Sequence, residues 1–163
     1  DPQITIDPSS PRIIYTALQI KQGWEMYSLE QEFARQNIQL SDNKQWRVTE
    51  LNDNFELCDT YPKRLIVPRA ISDDKVKGSA SFRSKGRIPV LTWVHPTNGA
   101  SITRSSQPMA GISNARNAQD EELITAILKT CPTPNCNMYI VDARPMANAL
   151  ANRAAVGFLV LMD

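Results

Sequence analysis

Long apolar runs are missing from this 163-residue chain: the longest, Val156 to Met162, falls far short of the roughly 18 residues that cross a bilayer. Any membrane contact is therefore expected to be peripheral. Charge of one sign is also missing. A formal net charge of +1 argues against a strongly basic nucleic-acid binder and against an acidic tail, so no nucleic-acid partner is expected. Cysteine is scarce, with Cys58, Cys131 and Cys136 making an odd number too sparse for a disulfide framework, and no Asn-x-Ser/Thr glycosylation site accompanies them. A reducing compartment fits that pattern best. The opening Asp1-Pro-Gln has neither the basic nor the apolar region of a signal peptide, so the reading is a soluble, cytoplasmic protein.

A hydrophobic content of 42% is ordinary for a globular domain and excludes disordered and collagen-like chains. Residues 1–22 read as a linker, because Pro2, Pro8 and Pro11 among Ser9 and Ser10 cannot hold a helix. Ser28 with Gln31 makes a capping box ahead of Leu29, Phe33 and Ala34, which predicts a helix over 28–36 with Trp24 and Tyr27 beside it. The β-branched run from Arg64 to Pro68 predicts a buried strand, followed by a charged turn at Asp73 and Asp74. A strand over Ile88 to Val94, the turn signal Asn98-Gly99 and the stretch Ala100 to Arg104 predict an antiparallel hairpin. Asp120 reads as the cap of a helix carrying Leu123, Ile124, Ile127 and Leu128; Met138 to Val141 reads as a strand and Met146 to Ala154 as a helical stretch. The sum is an α/β domain with a mixed central sheet and flanking helices.

Four constellations bear on chemistry. Cys58 to Arg64 has the bare Cys-x5-Arg spacing of cysteine-dependent phosphatases, but such a loop needs inward-facing amides, glycine for the turn and a following helix N-terminus. Here Pro62 removes an amide, glycine is missing and a strand follows, so Cys58 reads as a small buried residue. Cys131 and Cys136 suggest half a zinc site that His95, the sole histidine, does not complete, and His95 beside Pro96 lacks a third group to orient it for catalysis. No metal or other cofactor is implied. Arg83, Lys85 and Arg87, with Arg104 across the hairpin, could hold an anionic headgroup, although a solvated loop or a set of ion pairs is the commoner use of such clusters. Asp142-Ala-Arg-Pro145 ends an apolar stretch at the sheet edge where ligands bind in open α/β folds, with Asn148, Asn152 and Arg153 close behind. The alternative for Asp142 and Arg144 is an internal structural pair.

Gly23-Trp24 with Tyr27, Glu32-Phe33 and Arg35, Trp46-Arg47, Leu57 to Pro62 and Val67-Pro68 run in an order that resembles the myotubularin-related phosphoinositide phosphatases. Phe82 to Leu91, His95-Pro96, Ile102 to Pro108, Asp120-Glu121, Asp142 to Pro145 and Asn152-Arg153 extend the resemblance from Gly23 to about Ala155. It implies part of a cysteine-phosphatase-like domain over 23–155, behind a PH-GRAM-like domain upstream of the 1–22 linker. It further implies removal of the 3-phosphate from phosphatidylinositol 3-phosphate and the 3,5-bisphosphate through a phosphocysteine, at endosomal membranes approached from the cytoplasm. The family's His-Cys-Ser-Asp-Gly-Trp-Asp-Arg type of loop does not occur here, and residues 156–163 form a divergent apolar tail.

The resemblance implies a headgroup contact for Asn152 and supporting roles for Arg104, Gln107 and Arg144. The expectation for this chain is an inactive part of a phosphoinositide 3-phosphatase. The alternative is a non-catalytic module that forms homo- or hetero-oligomers with active relatives.

Overall fold

Four consecutive residues, Leu65 to Pro68, are all buried, and they set the centre of the fold. The computed structural model describes residues 28–36, 38–111, 115–134 and 136–145. In chain order these form α1 (Leu29–Arg35), β1 (Trp46–Thr49), β2 (Leu65–Pro68), α2 (Asp73–Ser81), a 3-10 turn (Ser84–Gly86), β3 (Val90–Val94), β4 (Ser101–Arg104) and α3 (Ala118–Leu128). The domain is mixed α/β, and its strands are arranged in two antiparallel pairs, β1 with β2 and β3 with β4.

The helix expected near Ser28 is α1, and Ser28 caps it by accepting the Gln31 amide at 3.3 Å. Its apolar face buries Leu29 and Phe33, while the Gln36 side chain just past its end donates to Thr92 O at 3.3 Å and accepts from Val94 N. Gln36 thereby occupies part of the β3 edge, where unpaired backbone groups would otherwise need water.

In the first pair, Trp46 lies opposite Pro68 and Thr49 opposite Leu65. Asn52 organises the link between the two strands. Fully buried, it donates to Cys58 O at 2.9 Å and Pro62 O at 2.8 Å and accepts from Cys58 N at 2.8 Å.

Asp73 and Asp74 lie in a helix, correcting the charged turn expected there. They form the first turn of α2, where acidic side chains complement the positive end of the helix dipole. Asp73 is further held by Arg47 at 2.6 Å and Thr49 at 3.1 Å. Helical spacing then turns Val76, Ser79 and Ala80 inward.

The hairpin forms as expected, with Val90 opposite Arg104 and Val94 opposite Ser101 and a bulge between Leu91 and Trp93. Gly99 sits in its loop at φ +69°, a conformation open to glycine at little cost. Helix α3 packs on α2 and buries Leu123, Ala126 and Ile127. The cap of α3 is Asn117, whose Oδ1 accepts the Asp120 amide at 2.9 Å; Asp120 itself lies inside the helix and points into the core.

Val67, Val76, Ile88 and Leu123 have no exposed surface and join β2, α2, α3 and the β3 approach into one core. Each such side chain contributes roughly 2 kcal/mol relative to exposure.

The expected strand at Met138 to Val141 does not form. Met138 packs against the core, whereas Tyr139, Ile140 and Val141 are exposed and, among the described residues, have no strand alongside. Apolar composition favours a strand, but a strand needs a ladder partner to exist. The linker at 1–22, the residues Trp24 and Tyr27, the helical stretch at 146–154 and the tail at 156–163 lie outside the described residues.

Candidate functional site

Arg83 is the hinge on which the candidate site is built. Placed by the end of α2, its guanidinium meets Asp120 of α3 with two bonds, Nε to Oδ1 at 2.7 Å and Nη2 to Oδ2 at 2.6 Å. Ser79 donates to the same carboxylate at 2.6 Å, and Arg83 Nη1 reaches Ser106 O at 2.9 Å. Both charged side chains are 8% exposed, and the planar fork of arginine on a carboxylate is the geometry that makes such burial tolerable. Arg83 therefore leaves the basic cluster expected for an anion and joins the ion-pair alternative.

The clasp fixes two loop segments against each other. Ser84 N donates to Gln107 O at 3.1 Å, Ser106 N to Arg87 O at 2.9 Å and Met109 N to Phe82 O at 2.8 Å, while Ser106 Oγ donates to Ser84 O at 2.8 Å. Gln107 is presented at the outer end of this ladder, and its Oε1 accepts from Arg144 Nη1. Arg144 in turn donates from Nε to Asp142 at 2.8 Å and from its backbone N at 3.1 Å. Those bonds hold the Asp142 carboxyl at a pKa of about 2, the Arg144 side chain contributing most and its amide next. Asp142 and Arg144 thus form the structural pair considered as an alternative, on an exposed turn joined to Gln107.

Arg87 donates from Nε to Thr60 Oγ1 at 2.8 Å, and Lys85 stands exposed on the turn with a left-handed φ of +57°. Arg104 points outward from β4, and its carbonyl accepts from Tyr61 at 3.2 Å. Burial pushes the Tyr61 hydroxyl pKa up, against the pull of Arg104, Arg87 and Arg83 nearby.

Cys58 is 2% exposed, its amide bound by Asn52, and Arg64 turns away to pair with Glu30 before β2 begins. The Cys-x5-Arg stretch is accordingly a structural turn, as its Pro62 and lack of glycine indicate. His95 accepts from Thr97 N at 3.1 Å and Asn98 N at 3.3 Å through Nδ1 and stands edge-on to Trp93, so it caps the hairpin loop. Cys131 and Cys136, weighed as half a zinc site in a chain too poor in cysteine for a disulfide framework, are joined to each other as a single disulfide. The spacing of five residues brings the two within reach, and only the third, Cys58, is shut away in the core. Asn152, the expected headgroup contact, lies outside the described residues, as do Asn148 and Arg153. Asn52 was not among the expected organisers; its polar stretch Leu51-Asn-Asp-Asn54 signals a turn but not which side chain is buried.

The family model described as a myotubularin-like phosphatase domain matches residues 10–161. Over 135 residues the chain is 48% identical to a Bos taurus protein named phosphatidylinositol-3,5-bisphosphate 3-phosphatase MTMR2, covering 83% of this chain and 20% of that protein. It is 43% identical over 155 residues to Xenopus laevis myotubularin, covering 92% of this chain and 25% of the relative. A Gallus gallus protein named phosphatidylinositol-3,5-bisphosphate 3-phosphatase MTMR8 is 46% identical over 133 residues, or 82% of this chain and 20% of its own length. The chain thus spans between a fifth and a quarter of these relatives.

Proposed function

The chain belongs to the myotubularin-like phosphatase domain family, and from that premise we propose that it supplies scaffold and a headgroup contact to a phosphoinositide 3-phosphatase. The substrates in this reading are phosphatidylinositol 3-phosphate and the 3,5-bisphosphate. The observation that carries it is the match over residues 10–161, supported by relatives whose names state 3-phosphatase activity toward the 3,5-bisphosphate. The geometry is compatible with the role. The Arg83–Asp120 clasp and the Gln107–Arg144 contact fix the Asp142–Pro145 turn, and Asn152 follows it by ten residues from Asp142. An amide there offers neutral donors and an acceptor suited to inositol hydroxyls and phosphate oxygens. Attachment to endosomal membranes from the cytoplasmic side, and pairing with a second copy or a relative, go with the same reading.

Cys58 is buried and has no phosphate cradle around it, so a thiolate on this residue plays no part in the reaction. The 163-residue chain alone, incubated with phosphatidylinositol 3-phosphate, is expected to release no inorganic phosphate above a blank. In the full-length protein, Asn152→Ala is expected to raise KM for that lipid by roughly tenfold, the loss of about 1.4 kcal/mol from one good polar contact. Turnover by the chain alone, or an unchanged KM in the variant, would count against this assignment.

A further inference from the structure

The odd cysteine count and the missing glycosylation sites point to a reducing compartment, where a lasting structural disulfide is unusual and a transient one is commonly a redox sensor. Against that expectation, Cys131 and Cys136 are paired with their Cα atoms 6.5 Å apart. Both are partly exposed, and so open to an oxidant, whereas Cys58 is 2% exposed. The two halves of the pair have different surroundings. Cys131 is anchored to α3, since its N–H donates to Leu128 O at 3.2 Å and the neighbouring Thr130 bonds Ile127 O through its amide at 3.0 Å and its hydroxyl at 2.7 Å. Pro132 rests on the hairpin loop so closely that a Cβ at Gly99 would lie 2.8 Å from its Cγ. Cys136, by contrast, begins the stretch that runs through exposed Tyr139, Ile140 and Val141 to the Asp142–Arg144 turn. Among the described residues that stretch has no ladder partner; Met138 on the core and Arg144 on Gln107 hold it without covalent bonds, and the sulfur bond adds a covalent tie back to α3 besides the short loop itself.

We propose that Cys131 and Cys136 form a reversible thiol–disulfide switch that sets how tightly the Asp142–Pro145 turn is held against the body of the domain. The importance of that turn rests on the phosphoinositide reading above; the switch itself does not. Hydrogen peroxide is the oxidant. One thiolate attacks the peroxide oxygen to give a sulfenic acid and hydroxide, and the second thiolate attacks the sulfenic sulfur, forming the S–S bond and expelling a second hydroxide. With the two thiol protons the products are a disulfide and two waters, and a dithiol reductant reverses the change.

The test treats the chain with hydrogen peroxide, quenches, unfolds it in denaturant and labels it with N-ethylmaleimide. One labelled cysteine, Cys58, is expected after peroxide against three after dithiothreitol, with a Cys131–Cys136 linked peptide in unreduced mass mapping. Hydrogen exchange over residues 138–145 should be several-fold faster in the reduced chain, and Cys136→Ser should show the fast rate with or without peroxide. Three labelled cysteines after peroxide, a linkage through Cys58, or equal exchange in the two states would overturn the proposal. None of these readouts involves a lipid, so failure of the switch and failure of the phosphatase reading are separable.

Discussion

Two carboxylates, Asp120 and Asp142, each meet an arginine fork, and their surroundings give the pairs different consequences. Arg83 and Asp120 are buried together, so removing one leaves a charge without its partner in a dry site. Arg83→Ala is expected to lower the unfolding free energy by roughly 3–5 kcal/mol in urea melts, while an Arg83→Met, Asp120→Leu double variant recovers most of the loss. Asp142 is exposed, and water screens its contribution to stability, but its titration reports the contact directly. Its folded pKa of about 2 lies below the ordinary 3.8, so the stabilisation is present above 3.8 and is lost as pH falls through about 2. Carbon-detected NMR titration should place the midpoint near 2 in the native chain and return it toward 3.8 in Arg144→Ala. Both partners could be read as charged residues in the sequence. By sequence Asp120 nonetheless reads as a helix cap, because an acidic residue near a helix start satisfies the capping pattern whether it faces out or in.

Elements with a strong local signal were legible. The Ser28 cap, the β-branched run of β2 and the Asn98-Gly99 turn each have a mechanism confined to a few neighbours, and each formed where expected. Asp73 and Asp74 show the opposite case, since two acidic residues suit a turn and a helix N-terminus equally, and the burial of Val76 and Ala80 decides for the helix. The 3-10 turn between α2 and β3 depends on Gly86, which has φ +65° and lies against the backbone of the β1–β2 connection. A Cβ there would stand 2.1 Å from Leu57 O, and a carbonyl cannot give way as a side-chain tip can. Gly86→Ala is expected to cost roughly 2 kcal/mol or more, read as a lower thermal midpoint. Gly78→Ala provides the contrast: the atoms nearest its Cβ would be those of the Gln119 side chain, which can move, and alanine favours the helix.

At the level of the whole molecule, the run Tyr139 to Val141, at 72–85% exposure, presents apolar surface, and the two-stranded sheets have open edges among the described residues. Such surfaces drive association. The 163-residue chain is expected to elute partly as oligomers beside the monomer on size exclusion, and Ile140→Lys with Val141→Lys to move it fully to the monomer position; a single sharp monomer peak from the unmodified chain would refute this. Composition, ordered motifs and the effects of proline and glycine on a turn act through near neighbours, so the mixed α/β class, the family and the structural character of the Cys58–Arg64 stretch are legible in the chain before it folds. Packing is what assigns Arg83 to Asp120, Gln107 to Arg144, Asn52 to the β1–β2 connection and Cys131 to Cys136. Apart from the cysteine pair, these contacts join residues 6 to 37 positions apart. Which of several suitable partners a buried polar group finds is set by how the helices and strands pack, and the interior then fixes the choice by excluding water from any group left unpaired.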